Sequence, residues 1–157
     1  MLPRRRGGTV AVRPEGEEHI MDTDSTDVVR RFLEAWSSQD LDTAAGLVTE
    51  DFVNNSSTSQ GRQGVIEEGR FWFGAFPDAR VSIEDLIADG DKVVARTHAT
   101  ATHLGEFLGS APTGRTIELD EIDIFRVEGG SIAESWSVPD LFGLMNQIGA
   151  FEHAGVD

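Results

Sequence analysis

Residues 116–127 alternate as a β-strand does, yet the apolar face of this segment contains two acids. Side chains on a strand point alternately to its two faces, so residues an even number apart share a face. The odd-numbered face carries Ile117, Leu119, Glu121, Asp123, Phe125 and Val127. Burial disfavours the ionised form of a carboxyl group, so an acid among buried apolar neighbours can exchange a proton near neutral pH. The pattern therefore indicates either a proton-transfer group on the inner face of a sheet, or a sheet edge whose acids are hydrated or ion-paired.

Composition limits the kinds of protein this chain can be. At 157 residues, 39% of them hydrophobic, it is long enough for one domain with a substantial core. The absence of cysteine excludes disulfides, thiolate metal sites and cysteine nucleophiles, and it suits a cytoplasmic location. A formal net charge of −15, with Lys92 the single lysine, argues against a nucleic-acid partner. No apolar run approaches the roughly 18 residues of a membrane span, so no membrane partner is expected.

The order of the predicted elements favours one α+β domain over residues 23–152. Residues 1–22 are rich in Gly, Pro, Arg and Glu without periodicity, which predicts a disordered N-terminal arm. Apolar spacings of three and four predict helices from about 25–27 to 36, over 41–49 and over 64–76, with a loop at 54–60. Period-two patterns predict strands over 81–88, 92–103, 115–128 and 131–138, and a last helix after Pro139.

Helices that precede the strands, rather than alternate with them, define the α+β class. The predicted fold is therefore a cone-shaped, curved antiparallel or mixed sheet covered by three N-terminal helices, with a C-terminal helix. A sheet curled in this way encloses an apolar interior.

Two histidines lie on opposite faces of the predicted strand 92–103. His103 has the parity of Val93 and Ala95 and is expected to face inward, either as a hydrogen-bonded core residue or as a pocket residue. His98 has the opposite parity and is expected to face outward. Because an unbroken strand cannot bring the two to one metal ion, no metal site is predicted.

Between residues 27 and 149, several sequence blocks occur together in a fixed order. They are FPD at 76–78, EDLIADGDKVVAR at 84–96, THLGEFLG at 102–109, PTGR at 112–115, IDIFRV at 122–127, and Trp136 followed by PDL at 139–141. As a set these blocks resemble the SnoaL-like polyketide cyclases, a family of the nuclear-transport-factor-like superfamily of cone-shaped α+β folds.

The resemblance implies an intramolecular aldol ring closure on a polyketide ester, with an aspartate as acid and base and with neither metal nor other cofactor. The family's catalytic aspartate and pocket histidine match Asp123 and His103 of this chain. Relatives often carry histidines where this chain has Asn55 and Ser135, so a pocket of different polarity, and a different ligand, are expected. Members of the superfamily commonly pair through the outer sheet face, which implies a homodimer.

For the site, we expect Asp123 to remove a proton from carbon between two carbonyls, and His103 to donate a hydrogen bond to the enolate or aldol oxygen. Glu121, if it faces the same cavity, is expected to raise the proton affinity of Asp123 by like-charge repulsion. The expected pocket, for an apolar or polyketide-like small molecule, is lined by Trp36, Asn55, Phe107, Glu121, Phe125 and Trp136.

Three other functions stay open at this point. An epoxide hydrolase of the same superfamily uses an Asp-Arg-Asp trio, which the strand 92–103 disfavours because it contains no carboxylate. A dehydratase or double-bond isomerase of the same fold would also use an Asp and a His. A non-catalytic domain that binds an apolar small molecule would tolerate Asp123→Asn with little loss of affinity.

Overall fold

Four helices flank one five-stranded sheet in the computed structural model of the protein, which describes residues 22–152. The elements in chain order are α1 (Asp22–Ser37), α2 (Leu41–Gly46), β1 (Val48–Asn54), α3 (Gly61–Ala75), β2 (Arg80–Asp89), β3 (Lys92–Thr102), β4 (Thr116–Glu128), β5 (Ser131–Pro139) and α4 (Leu141–Gln147). The arm expected over residues 1–22 lies outside the described residues, except for Asp22 at the start of α1. Among the helices within 22–152, none is long and apolar enough to cross a membrane.

The sheet is mixed, in the order β1-β5-β4-β3-β2. Strands β2 to β5 form the antiparallel meander that the alternating pattern predicts, and β1 lies parallel to β5. The α+β prediction, with a curved sheet covered by helices, is therefore confirmed.

Strand β1 corrects the predicted helix over 41–49. The helix α2 begins after Asp40, whose side chain accepts a hydrogen bond from the backbone N–H of Thr43 at 3.1 Å, and it ends at Gly46. Val48 then pairs with Ile132 of β5. Apolar residues in this short stretch fit a helical stripe and a strand equally well, so the pairing with distant β5 decides the structure.

Strand pairing sets which side chains face the helices. Asp123 of β4 lies opposite Ala95 of β3 and Ser137 of β5, and Phe125 lies opposite Ser135. Asp123 is 5% exposed, and Phe125 is buried beside it. The odd-numbered face of β4 is therefore the inner face, as its apolar alternation predicts.

Two hydrophobic clusters fill the space between the helices and the sheet. The first lies under α1 and includes Phe32 and Phe125; the second lies under α3 and α4 and includes Phe76 and Leu144. Full burial of such side chains stabilises the fold by roughly 1.5–3 kcal/mol each. Trp36, at the end of α1, packs against both clusters and therefore lies where the two meet.

Candidate active site

Two adjoining chambers open between the helices and the inner face of the sheet. The inner chamber has a volume of about 100 Å³ and the outer one about 540 Å³. Both chambers are lined by Trp36, Glu68, Val81, Thr97 and Glu121. Because they share these walls, the chambers form one cavity with a narrow inner end and a wide outer end.

The outer chamber has an aromatic wall. Trp72 and Phe107 line it with their ring centroids 5.9 Å apart, and Phe71 packs against Phe107 at 5.6 Å. Ser56 and Glu67 are among the polar residues that line it. A volume of this size, with apolar walls and a few polar groups, is typical of sites for small organic ligands.

Asp123 lies on the wall of the inner chamber, in the middle of β4. Its Oδ1 accepts a hydrogen bond from the Oγ of Ser137 at 2.5 Å. Burial raises the pKa of Asp123 to about 6, while the hydrogen bonds with Ser137 and Glu121 act in the opposite direction. The side chain is therefore a carboxylate near neutral pH whose affinity for a proton is far above that of an exposed aspartate.

Glu121 lies two residues earlier on the same face and lines both chambers. Burial, then the charges of Asp123 and Glu68, raise the pKa of Glu121 to about 8. The hydrogen bond between the two carboxyl groups raises the pKa of Glu121 and lowers the pKa of Asp123. This reverses the expected effect of Glu121, because a neutral neighbour donates a hydrogen bond where an ionised one would repel.

A third carboxyl group, Glu68 of α3, faces the same space. Burial and the charge of Asp123 raise its pKa, and a hydrogen bond from the Nδ2 of Asn54, at 2.8 Å, opposes the rise. Sequence reasoning missed Glu68 and Asn54. The signal for Glu68 was its helical spacing, since it follows Val65 by three residues and precedes Trp72 by four, which places an acid on the apolar stripe of α3.

The ionisable side chains that line the cavity are all acids. Its lining includes Glu67, Glu68, Glu121 and Asp123, and no Lys, Arg or His of residues 22–152 lines either chamber. Within the same residues, no group of three or more His, Cys, Asp or Glu side chains is arranged to hold a metal ion. The site therefore offers carboxyl groups, hydroxyl groups and aromatic surface to a ligand.

The structure places some of the predicted pocket residues in the cavity and two elsewhere. Trp36, Glu121, Phe107 and Phe125 line it. Asn55 and Trp136 do not.

The two exceptions follow from strand geometry. Asn54 takes the inward position at the end of β1, and exposed Asn55 donates to Glu134 at 3.0 Å. Trp136 pairs with Ile124 on the outer face, because its neighbours Ser135 and Ser137 face inward.

His103 lies away from both chambers. It follows the last residue of β3, eight positions beyond Ala95, the partner of Asp123. At about 3.3 Å per residue, the two sites are roughly 25 Å apart along the strand. The structure therefore does not bring His103 together with Asp123.

Instead, His103 closes the base of the loop that joins β3 to β4. Its side chain is fully buried and packs against Phe76, with the two ring centroids 5.6 Å apart. Its Nδ1 accepts a hydrogen bond from the backbone N–H of Thr113 at 3.3 Å. Its backbone pairs with Arg115 and Gly114 at 2.9 and 2.8 Å. The loop closed by these contacts carries Phe107, a wall of the outer chamber, so His103 contributes to the shape of the site indirectly.

Comparisons with known proteins agree with this architecture. The family model described as SnoaL-like polyketide cyclase matches residues 26–148. The aklanonic acid methyl ester cyclase AcmA of Streptomyces galilaeus is 26% identical over 126 residues, which are 77% of this chain and 88% of AcmA.

Solved structures give the same result. TsrD from Streptomyces laurentii superposes with a TM-score of 0.76 and 29% identity, over 82% of this chain and 96% of TsrD. Wild-type IdmH from Streptomyces antibioticus superposes with a TM-score of 0.71 and 31% identity, over 80% of this chain and 98% of IdmH. The family match spans most of the chain and the whole of the cavity-forming part, so the protein belongs to the SnoaL-like polyketide cyclase family.

Proposed function

We propose that the protein closes a ring by intramolecular aldol addition in an uncharged polyketide-like ester, with Asp123 as the base. The observation that carries this proposal is the position of Asp123, a buried carboxylate at the narrow end of a cavity whose wide end is aromatic. The matched family, and AcmA among the relatives, support the same reaction class.

The chemistry needs little more than a base and a shaped cavity. A carbon between two carbonyl groups is itself acidic, so a carboxylate with a pKa of about 6 can remove its proton. Proton transfer by a positioned group contributes about 10²- to 10⁴-fold in rate. Holding the enolate against the carbonyl it attacks is worth up to about 7–11 kcal/mol.

The charges of the cavity define the substrate further. Glu67, Glu68 and Asp123 would repel a free carboxylate, and no cation among residues 22–152 lines the cavity to pair with one. An ester presents the same carbonyl without the charge. The substrate name that AcmA carries, aklanonic acid methyl ester, fits this requirement.

We also propose that the protein is a homodimer paired through the outer face of the sheet. Side chains in register across four strands form an apolar row there, and two exposed neighbours extend it: Ile87, Val94, Ile124 and Trp136, with Ile122 and Val138 beside them. Contiguous apolar surface of this kind marks an interaction site.

The test of the catalytic proposal is Asp123→Asn, assayed for ring closure of aklanonic acid methyl ester and of a smaller aryl β-keto methyl ester that carries a ketone on the same ring. We expect turnover to fall by about 10²- to 10⁴-fold, with an unchanged circular dichroism spectrum. Asp120→Asn is the matched control, since Asp120 lies on the same strand and faces outward. Full activity of Asp123→Asn would refute the assignment. Tight binding of both compounds without any turnover by the wild type would show a binding protein instead.

A further inference from the structure

We propose that Glu121 is the second catalytic residue of the cavity: it protonates the new hydroxyl oxygen and then recovers a proton from Asp123 across their mutual hydrogen bond. This inference rests on the proposed aldol closure and deepens it. The expected partner His103 lies outside both chambers, so it is not placed to donate to this oxygen, whereas Glu121 lines both of them.

The first support is position. Asp123 lines the inner chamber, whereas Glu121 lines both chambers at their junction. The two residues lie two positions apart on one face of a strand, so their Cα atoms are about 6–7 Å apart, and their side chains reach each other to form a hydrogen bond. A ligand that fills the outer chamber and presents its acidic carbon to Asp123 therefore has its next reacting group beside Glu121.

The second support is the set of charged groups around Glu121. The charges of Glu68 on α3 and of Asp123 on the same strand act on Glu121, and exposed Glu67 lines only the outer chamber. Thr97 of β3 and Pro139 of β5 are the partners of Glu121 on the neighbouring strands. No cation of residues 22–152 lines the cavity, so ionisation of all these acids together is unfavourable. Consistent with this, the pKa of Glu121 is raised to about 8 and that of Asp123 to about 6. Neighbouring acids whose pKa values are separated in this way can act as an acid and a base at one pH.

Asp123 and Glu121 together take up and return the same number of protons in one reaction cycle. The carboxylate of Asp123 takes a proton from carbon, and the electron pair of that C–H bond forms the enolate. The enolate carbon bonds to the carbonyl carbon, and the resulting alkoxide takes the proton of the Glu121 carboxyl group. Asp123 is now protonated and Glu121 ionised, and transfer of one proton between them restores the starting state. The reaction is an isomerisation, so it needs no oxidant, reductant or co-reactant.

The kinetic test is Glu121→Gln, which keeps a hydrogen-bond donor of similar size but has no proton to give. For closure of the aryl β-keto methyl ester, we expect kcat to fall by about 10²- to 10⁴-fold, with KM changed by less than about threefold. We also expect the fall of kcat above pH 8 in the wild type to be absent from the variant. Exchange of the activated C–H for deuterium should persist, because Asp123 performs that step. The matched control, Glu118→Gln, changes an exposed acid on the outer face of the same strand.

The outcomes separate this inference from the proposed function. If Glu121→Gln retains kcat within about threefold and keeps the alkaline fall, while Asp123→Asn is inactive, Glu121 is not the acid and the aldol proposal stands. If Asp123→Asn also retains its rate, the aldol proposal itself fails.

A second measurement needs no substrate. Carbon-13 NMR of the side-chain carboxyl groups should show Glu121 protonated at pH 7 in the wild type, and titrating at lower pH in Asp123→Asn, because the charge that holds its proton is removed. A wild-type Glu121 that is ionised at pH 7 would overturn the inference.

Discussion

Ser137 donates a hydrogen bond to Asp123, the proposed base. The hydrogen bond from Ser137 stabilises the carboxylate and lowers the pKa of Asp123 against the effect of burial. We predict that Ser137→Ala moves the acid limb of the kcat/KM profile, near pH 6 in the wild type, upward by about one to two pH units, since such a bond is worth about 1.5–3 kcal/mol and one unit about 1.4. The measurement is the pH dependence of ring closure, with Ser131→Ala as control. An unmoved acid limb would mean that this bond does not set the proton affinity of Asp123.

Glu121 makes the stability of the fold depend on pH. Its pKa is about 8 in the folded protein against 4.5 for the free group, so the folded state binds more protons between these values and the free energy of unfolding falls as pH rises through that window. We predict that Glu121→Gln resists urea better than the wild type at pH 9, with a free energy of unfolding higher by roughly 2–5 kcal/mol, and that the two proteins converge near pH 4. Parallel stability curves for the two proteins across this range would contradict the raised pKa of Glu121.

The positions of individual side chains could be predicted from the sequence where alternation along a single strand determines them. Alternation along β4 places Glu121, Asp123 and Phe125 on the inner face without reference to any other element. Glu68 and Asn54 lie on α3 and β1, and their proximity to Asp123 depends on packing between elements that are distant in the sequence. For His103, parity gave the correct inward direction, but the distance along β3 placed it outside the cavity.

At the scale of elements, the loop between β3 and β4 is fixed to α3 at its start. The backbone N–H groups of Leu104 and Gly105 both donate to the carbonyl oxygen of Ala75, at 3.0 Å each. A Cβ at position 105 would lie 2.1 Å from the carbonyl oxygen of Gly74, so this approach requires glycine. These contacts attach the start of the loop to α3 and so position Phe107, which follows two residues later, on the wall of the outer chamber.

We predict that His103→Ala loosens this loop. Loss of the buried ring and of its contacts with Phe76 and Thr113 should cost about 2–4 kcal/mol of stability. Ring-closure kinetics should show a larger rise in KM than fall in kcat, because Phe107 lines the outer chamber and is not one of the proposed proton-transfer groups. Thr113→Val, which removes only the hydroxyl partner, should show a weaker form of the same change. A stable His103→Ala protein with normal KM and a hundredfold lower kcat would instead give His103 a direct role in catalysis.

Strand β1 shows which elements the sequence does not specify locally. Antiparallel neighbours joined by the Asp89-Gly90-Asp91 and Gly129-Gly130 turns are visible as alternation interrupted by turn residues. The parallel pairing of β1 with β5 joins segments far apart in the chain, so no connecting turn indicates it in the sequence. The helical prediction over 41–49 failed at this boundary for that reason.

At the scale of the whole molecule, the proposed ligand site lies on the inner face of the sheet and the proposed dimer interface on the outer face. Val138 is 71% exposed on the outer face and Ile122 is 50% exposed. We predict that Val138→Asp combined with Ile122→Asp converts a dimer to a monomer in sedimentation velocity experiments, because two buried unpaired charges per subunit oppose association. Leu104→Asp, which changes an exposed apolar residue of the β3–β4 loop, is the control and should leave the dimer intact. A double variant that sediments as the wild-type dimer would place the interface elsewhere.

The proposed reaction requires a carbon-bound proton to pass to Asp123. Exchange of the activated C–H of the aryl β-keto methyl ester for deuterium, followed by proton NMR in D₂O at pH 7, measures that step without requiring ring closure. We predict that the wild type and Asp120→Asn accelerate this exchange over buffer by about 10²-fold or more, and that Asp123→Asn does not. Equal exchange rates with the wild type and Asp123→Asn would contradict the central role of Asp123.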